Sequence, residues 1–393
     1  MKGDFSRFGF DKKKRYSAVL MQQGRLQLDA DWNEQVQISE HRTTALFRDL
    51  VGRSGTPAGN AMTLALNTEG ALCLTEGVCY IDGLFVESEG MELKKEALPG
   101  GDGEFLFYVD AWTREVSASE DTELVDPAIG VETTVRLKTE WKLRWKEIAA
   151  GQAQAWKQVF SAGRWPEKSS TAIGEGNWWW PKSTGEMVLG GVEVKAKDNR
   201  LYRVEIHDGS PAVRFKWSRD NAFVCAEVES AGEGSAAYAL KNNSVHLQEA
   251  FLDAPWIEIC TPEEAGVLLD MSKAQFENGI LVPCGDCLKA FGAYFDTLKQ
   301  QEKIIIRRWD GVFLKGAKEN SLADELGIEV EFSESGFYRS GDYWQLLIRG
   351  GEVLNWGGKP TPPRGGGAPF CGPGQRENKG GPHRKTRVMA FAF

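Results

Sequence analysis

The residues best suited by type to chemistry are the cysteines, the histidines and a few clustered carboxylates. Cys284-Gly285-Asp286-Cys287 is a C-x-x-C, the spacing of half a zinc site or of a redox pair. Zinc needs two further ligands, yet no second C-x-x-C exists, and His207 and His246 are distant in sequence. A redox pair belongs at a strand-to-helix corner of a βαβ unit, a pattern missing around these positions, so two ordinary thiols in a loop are expected. Asp29, Asp31 and Glu34 are close carboxylates. General acid/base work holds two carboxyls about 5–10 Å apart across a cleft. The three-residue spacing of Asp31 and Glu34 instead fits a capping box, which predicts a helix starting near Trp32.

Asp208-Gly209, Asp220-Asn221, Asp310-Gly311 and Gly341-Asp342 fall between predicted strands and read as turns. No calcium-loop pattern, phosphate-binding loop, H-E-x-x-H or G-x-S-x-G occurs. The four histidines stand in unrelated contexts, and His207, inside a predicted strand, reads as a hydrogen-bonded structural residue. Trp178, Trp179 and Trp180, closed by Pro181, offer either a stacking platform for sugar rings or an anchor on the sheet or on a neighbouring subunit. No catalytic, cofactor-binding or metal-binding residue is assigned, and the chain reads as a non-enzyme without a cofactor or a small-molecule substrate.

The elements that must position these groups are mostly strands. At 393 residues the chain can bury a sizeable core, and 41% hydrophobic content places it among globular proteins. The net charge of −9 argues against bulk nucleic-acid binding, and no apolar run approaches the roughly 20 residues that would insert in a membrane. Forty-four glycines suit the tight turns of a β-protein, and 14 tryptophans suit half-buried sheet faces and interfaces. Seven cysteines without a regular framework favour a reduced, cytoplasmic origin.

In chain order, residues 1–54 read as a polar, basic arm followed by a helix. Along that helix Trp32, Val36, Ser39, Thr43, Leu46 and Leu50 form one narrow stripe, which fits packing on the chain's own β-domain or a seam against a partner. Residues 55–150 read as a first antiparallel β-domain, with an Asp82-Gly83 hairpin turn and a period-two run from 131 to 148. Residues 151–191 read as an irregular, Trp-rich insertion or linker. Residues 192–356 read as a second β-domain with helices at 262–271 and around Leu288, Phe291, Phe295 and Leu298, a strand at 244–247, and two strand segments around Gly341. Residues 357–393 read as a Gly/Pro-rich tail ending in a strand. The expected fold is mainly β: antiparallel sandwich- or barrel-like domains with an N-terminal arm and one early α-helix.

Residues 1–34 read MKGDFSRFGFDKKKRYSAVLMQQGRLQLDADWNE. This opening resembles a family of uncharacterised proteins of contractile injection systems, the phage-tail-like particles. Blocks at 105–136, 201–221, 307–311 and 338–344 resemble the same family. The resemblance implies a structural part, baseplate or baseplate-associated, acting through assembly with other particle subunits, and the basic arm of an otherwise acidic chain, able to pair with an identical neighbour, favours a homo-oligomer. It implies a cytoplasmic origin, then a place in an intracellular or released particle. The interface residues expected on this reading are Phe5, Arg7, Phe8, Phe10, Gln22, Gln23, Arg25 and Trp32, with Trp178, Trp179 and Trp180. The competing readings are a fibre-associated receptor- or glycan-binding module and, behind it, a cell-envelope hydrolase.

Overall fold

The computed structural model describes residues 2–52, 54–69, 71–81, 83–93, 104–148, 183–231, 238–241, 245–252, 254–261, 267–270, 275–277, 280–282, 303–317, 321–356, 358–363 and 387–392. The fold is mainly antiparallel β, with few helices. The arm leads into helix α1 (Asp29–Leu50). This helix starts three residues before Trp32 because Asp31 is not its N-cap. Leu28 holds that position, and the Asp31 carboxylate, one turn in, accepts the Leu28 amide at 3.2 Å. The helix stops where Gly52 turns to a φ of +89°.

Strands β1 (Ser54–Gly55), β2 (Leu64–Leu66), β3 (Leu72–Ile81) and β4 (Leu84–Glu92) form one sheet, each of the others pairing with β3. The turn of the β3–β4 hairpin includes Gly83. Gly83 has φ +86°, and a Cβ there would stand 2.9 Å from the Thr44 Cα of α1. Only glycine both makes this turn and lets the hairpin tip approach the helix so closely. β5 (Glu104–Val116) and β6 (Arg136–Ile148) form a 13-residue ladder. Met62, Leu74, Ile81 and Val86 pack against Phe107, Val109 and Ala111, so the two sheets share one core.

The second region contains β7 (Met187–Val192), β8 (Arg200–Asp208), β9 (Arg214–Ser218), β10 (Cys225–Ala231), β11 (Tyr238–Leu240), helix α2 (Val245–Leu252), β12 (Trp256–Cys260), β13 (Val267–Asp270), β14 (Gln275–Glu277), β15 (Ile280–Val282), β16 (Ile305–Trp309), β17 (Gly311–Leu314), helix α3 (Ser321–Leu326), β18 (Ile328–Phe332), β19 (Tyr343–Arg349) and β20 (Glu352–Val353). One sheet runs β17-β9-β8-β19-β20, another β13-β12-β16-β10-β11-β15-β14, and β18 pairs β7. The last strand, β21 (Arg387–Ala392), returns to the first region and pairs with the free edge of β5.

Four elements differ from their sequence reading. Residues 244–247 were expected as a strand, but helix α2 covers 245–252. Alternation over four residues is too short to separate period two from 3.6. The expected helix at 262–271 contains β13 at 267–270, where Leu268 and Leu269 are buried and pair with β12, so tertiary pairing overrides a helical N-terminal pattern. Residues 337–349 hold one strand, because Gly341, at φ +86°, belongs to the turn before β19. The expected linker 151–191 gives up its end to β7, which pairs with β18. The expected helix through Leu288 and Leu298, and the tail residues 364–386, lie outside the described residues.

Candidate functional site

Strand β8 alternates strictly. Tyr202, Val204 and Ile206 enter the main core, with Phe215 and Trp217 of β9 and Trp344, Leu346 and Ile348 of β19. Arg203, Glu205 and His207 therefore point to the other face, joined there by Lys216, Ser218, Tyr343 and Gln345. All of these are buried except Tyr343, which is half-buried. The reason is the second sheet, whose Glu258 on β12 and Arg307 and Trp309 on β16 pack against this polar face.

The result is a buried charge cluster. Lys216 Nζ lies 2.7 Å from Glu258 Oε1, 3.2 Å from Glu205 Oε1 and 3.4 Å from His207 Nδ1. It also stands over the Trp309 ring at 4.2 Å, while the Trp309 indole donates to Glu258 Oε2 at 2.9 Å. Arg203 Nε donates to Glu205 Oε2 at 2.7 Å, and its guanidinium lies 3.7 Å over Tyr343. Lys216 and Glu258 are only 1% and 3% exposed. Burial alone would raise the Glu258 carboxyl, but Lys216, Lys2 and His207 hold it down at about 2. Burial, followed by the Lys216 ammonium, pushes His207 down to about 4, so the ring is neutral near pH 7.

The N-terminal arm closes this cluster. Lys2 and Gly3 are buried, and Lys2 Nζ lies 5.8 Å from the Trp309 ring centre. Burial lowers the Lys2 ammonium to about 8, with Arg307 acting the same way. Asn221, in the left-handed region at φ 54°, is the clasp: its Nδ2 donates to Gly3 O at 3.0 Å. Its Oδ1 accepts from Arg203 Nη1 at 3.3 Å and Gln345 Nε2 at 3.0 Å. Gly3 has φ 148°, and a Cβ there would fall 2.6 Å from the Phe5 ring, so position 3 requires glycine.

From this anchor the arm runs along α1. The Ser6 amide and hydroxyl donate to the two oxygens of Asp29, at 2.8 and 2.5 Å, and Phe10 lies against His41. A tight turn at residues 12–14 follows, with Asp11 as its cap. The chain then returns: Ser17 O accepts from Arg42, and the Val19 amide donates to Gln35 at 2.7 Å. Phe5, Phe8 and Phe10 are half-buried in this arrangement, Phe5 edge-on to Phe8. Arg7, Gln22, Gln23, Arg25 and Trp32 are exposed. Trp178, Trp179, Trp180, Cys284 and Cys287 lie outside the described residues.

The helix stripe faces away from the body. Ala30 and Ile38 are the buried residues of α1, and Phe47 stacks on Tyr80 of β3 at 4.7 Å. At 100° per residue, Trp32, Val36, Ser39, Thr43, Leu46 and Leu50 lie on the side opposite Ala30 and Ile38, and all six are exposed. Trp32 is 64% exposed and Leu50 76%. In the returning arm Leu20 and Leu26 are 86% and 89% exposed. A shallow, mainly apolar groove of about 390 Å³ on this face is lined by Trp32, Val36, Ser39, Thr43 and Thr44 of α1 and by Gly83 of the β3–β4 turn. Exposed apolar residues aligned on one helix face are the kind of surface that interaction sites use.

The Asp/Gly/Asn pairs do sit at turns, but two also bind at a distance. Asp310 is buried and pairs with Arg219 at 2.7 Å and Arg308 at 2.9 Å, and Asn221 holds the arm. Sequence reasoning missed the charge cluster. Its signal was present in residues 201–208, where charged residues alternate with apolar ones, but a charged strand face normally reads as solvated. Among the described residues no group of three or more His, Cys, Asp or Glu side chains is placed to hold a metal ion, and no helix is long and apolar enough to cross a membrane.

Residues 1–76 match the model of a family of unknown function, DUF6519. The match spans the arm, α1 and the first strands, the same module that carries the exposed face. No curated protein and no solved structure matches the chain.

Proposed function

We propose that this chain is a non-catalytic structural subunit of a contractile injection particle, baseplate or baseplate-associated, and that the arm–α1 module is its docking element. The observation that carries the reading is the apolar stripe of α1 from Trp32 and Val36 to Leu46 and Leu50, left uncovered, as are Leu20 and Leu26 of the arm, on a module whose other side is fixed to the body. Further support comes from the resemblance of residues 1–34 to proteins of such particles. The charge cluster supports a structural role as well. Its groups neutralise one another under a closed lid, which suits a lock between sheets better than a site that must admit substrate. On this reading the partners are other particle subunits, without nucleic acid or membrane insertion, and the chain is cytoplasmic until assembly.

The test is incorporation. Leu20→Asp with Leu26→Asp changes only exposed positions, so the variant should fold and melt like the wild type. Particles purified from cells expressing it should lack the chain by mass spectrometry, while wild-type chain co-purifies. Normal incorporation of the variant would remove the module from the docking role. Absence of the wild-type chain from particles, together with binding on a glycan array, would favour the fibre-associated glycan-binding alternative.

A further inference from the structure

We infer that the exposed face of α1 is a self-complementary seam that pairs antiparallel with the same helix of a second copy of this chain. This deepens the assembly reading by naming one partner of the docking module, and it stands on four features of α1.

The first is spacing. Trp32, Val36, Ser39, Thr43, Leu46 and Leu50 are separated by 4, 3, 4, 3 and 4 residues. This is a strict heptad a/d repeat, the period of a helix–helix seam, whereas a helix packing on a sheet shows a broader stripe. The side that does pack inward, through Ala30 and Ile38, is a different one.

The second is symmetry of size. In an antiparallel pair centred between Ser39 and Thr43, Trp32 meets Leu50 of the other copy, Val36 meets Leu46, and Ser39 meets Thr43. Large apolar residues face apolar residues at both ends, and small ones face small ones where the helices cross, which lets the backbones approach. A two-fold contact requires this reciprocity, each residue meeting its mate twice.

The third is direction. Antiparallel pairing opposes the two helix dipoles and sets each Trp32 against a Leu50, whereas a parallel pair would align the dipoles and set Trp32 on Trp32 and the Ser39 and Thr43 positions on themselves.

The fourth is access. The returning arm flanks the seam on one side, through Arg42 to Ser17 O and Val19 N–H to Gln35. The β3–β4 turn flanks it on the other at Thr44. Between these walls the six seam residues are exposed along the length of the helix.

The experiment is sedimentation velocity of the purified full chain across micromolar concentrations, with Val36→Glu/Leu46→Glu as the variant. Both positions are exposed, so the variant should keep the wild-type melting curve. The wild type should sediment at twice the monomer mass and the variant at the monomer mass. Direction is read by mixing a Val36→Cys chain with a Leu46→Cys chain under mild oxidation. The mixed disulfide should dominate over the Val36→Cys homodimer, and the reverse would overturn the antiparallel arrangement. A monomeric wild type would overturn self-pairing. If that monomer still enters particles and the Val36→Glu/Leu46→Glu variant does not, the face belongs to a different subunit and the docking reading survives. A dimer that never enters particles would leave self-pairing standing and remove the particle assignment.

Discussion

Glu258 shows how this chain handles charge at the residue scale. A buried carboxylate is tolerated because Lys216 and the Trp309 indole satisfy its two oxygens at 2.7 and 2.9 Å. Removing one partner while keeping the other is therefore severe: Lys216→Met should cost about 3–5 kcal/mol of stability, read from denaturant melts. The cluster also makes the protein acid-sensitive, and the direction can be worked out. His207 is held near 4 when folded but titrates near 6.5 when unfolded, so below pH 6.5 the unfolded chain takes up a proton that the folded one refuses. Stability should fall by an amount on the order of 3 kcal/mol as pH drops from 6.5 to about 4. Glu258, ionised down to about 2, extends the loss as pH falls from 4.5. Melting temperature measured against pH should show this decline, and His207→Gln should flatten the part above pH 4.5. An unchanged profile in that variant would show that His207 does not carry it.

At the scale of elements, the arm and the last strand both tie distant parts of the chain together. Lys2 and Gly3 reach the cluster between the two sheets of the second region, held by Asn221, 218 residues away. Deleting residues 2–6 should leave a folded protein with a lower melting temperature, because Asn221 Nδ2 and the Asp29 carboxylate both lose their arm partners. An unaltered melt would show the arm contributes nothing to the fold. β21 pairs along β5 from 106 to 111, so truncation after residue 386 should uncover that edge, lower the melting temperature by at least a few degrees and promote aggregation visible by light scattering. How legible these elements were depended on their range. β5, β6, β12 and β18 could be read closely, since their alternation is long or sharply bounded. The N-cap of α1 shifted because Asp31 serves the helix from inside its first turn. β13 and α2 were misread because short apolar runs take their structure from neighbours that lie far along the chain. The stripe on α1 was visible in the sequence, but its direction was not, because periodicity shows that a face exists and only the fold shows which side is already covered.

Taken as a whole molecule, the chain is two β-regions bridged by an arm that starts in the second and, as α1, packs on the first through Phe47 and Tyr80. Exposed large apolar residues recur along α1 and the returning arm, while one charge cluster is buried between the sheets of the second region. The charge cluster was missed for the same reason that the stripe's direction was: the alternation is in the sequence, but Arg203, Glu205 and His207 on β8 look like a solvated strand face until β12 and β16 are laid over them. On the proposed reading the buried charge cluster locks the second region and the exposed apolar face of α1 serves assembly, and that proposal is open to direct test. The decisive measurement is a density map of the injection particle from cells expressing the chain, at a resolution that traces helices. The account predicts density for the chain with the Trp32–Leu50 face of α1 covered by another helix. A particle that lacks the chain, or that carries it with this face open to solvent, would contradict the account.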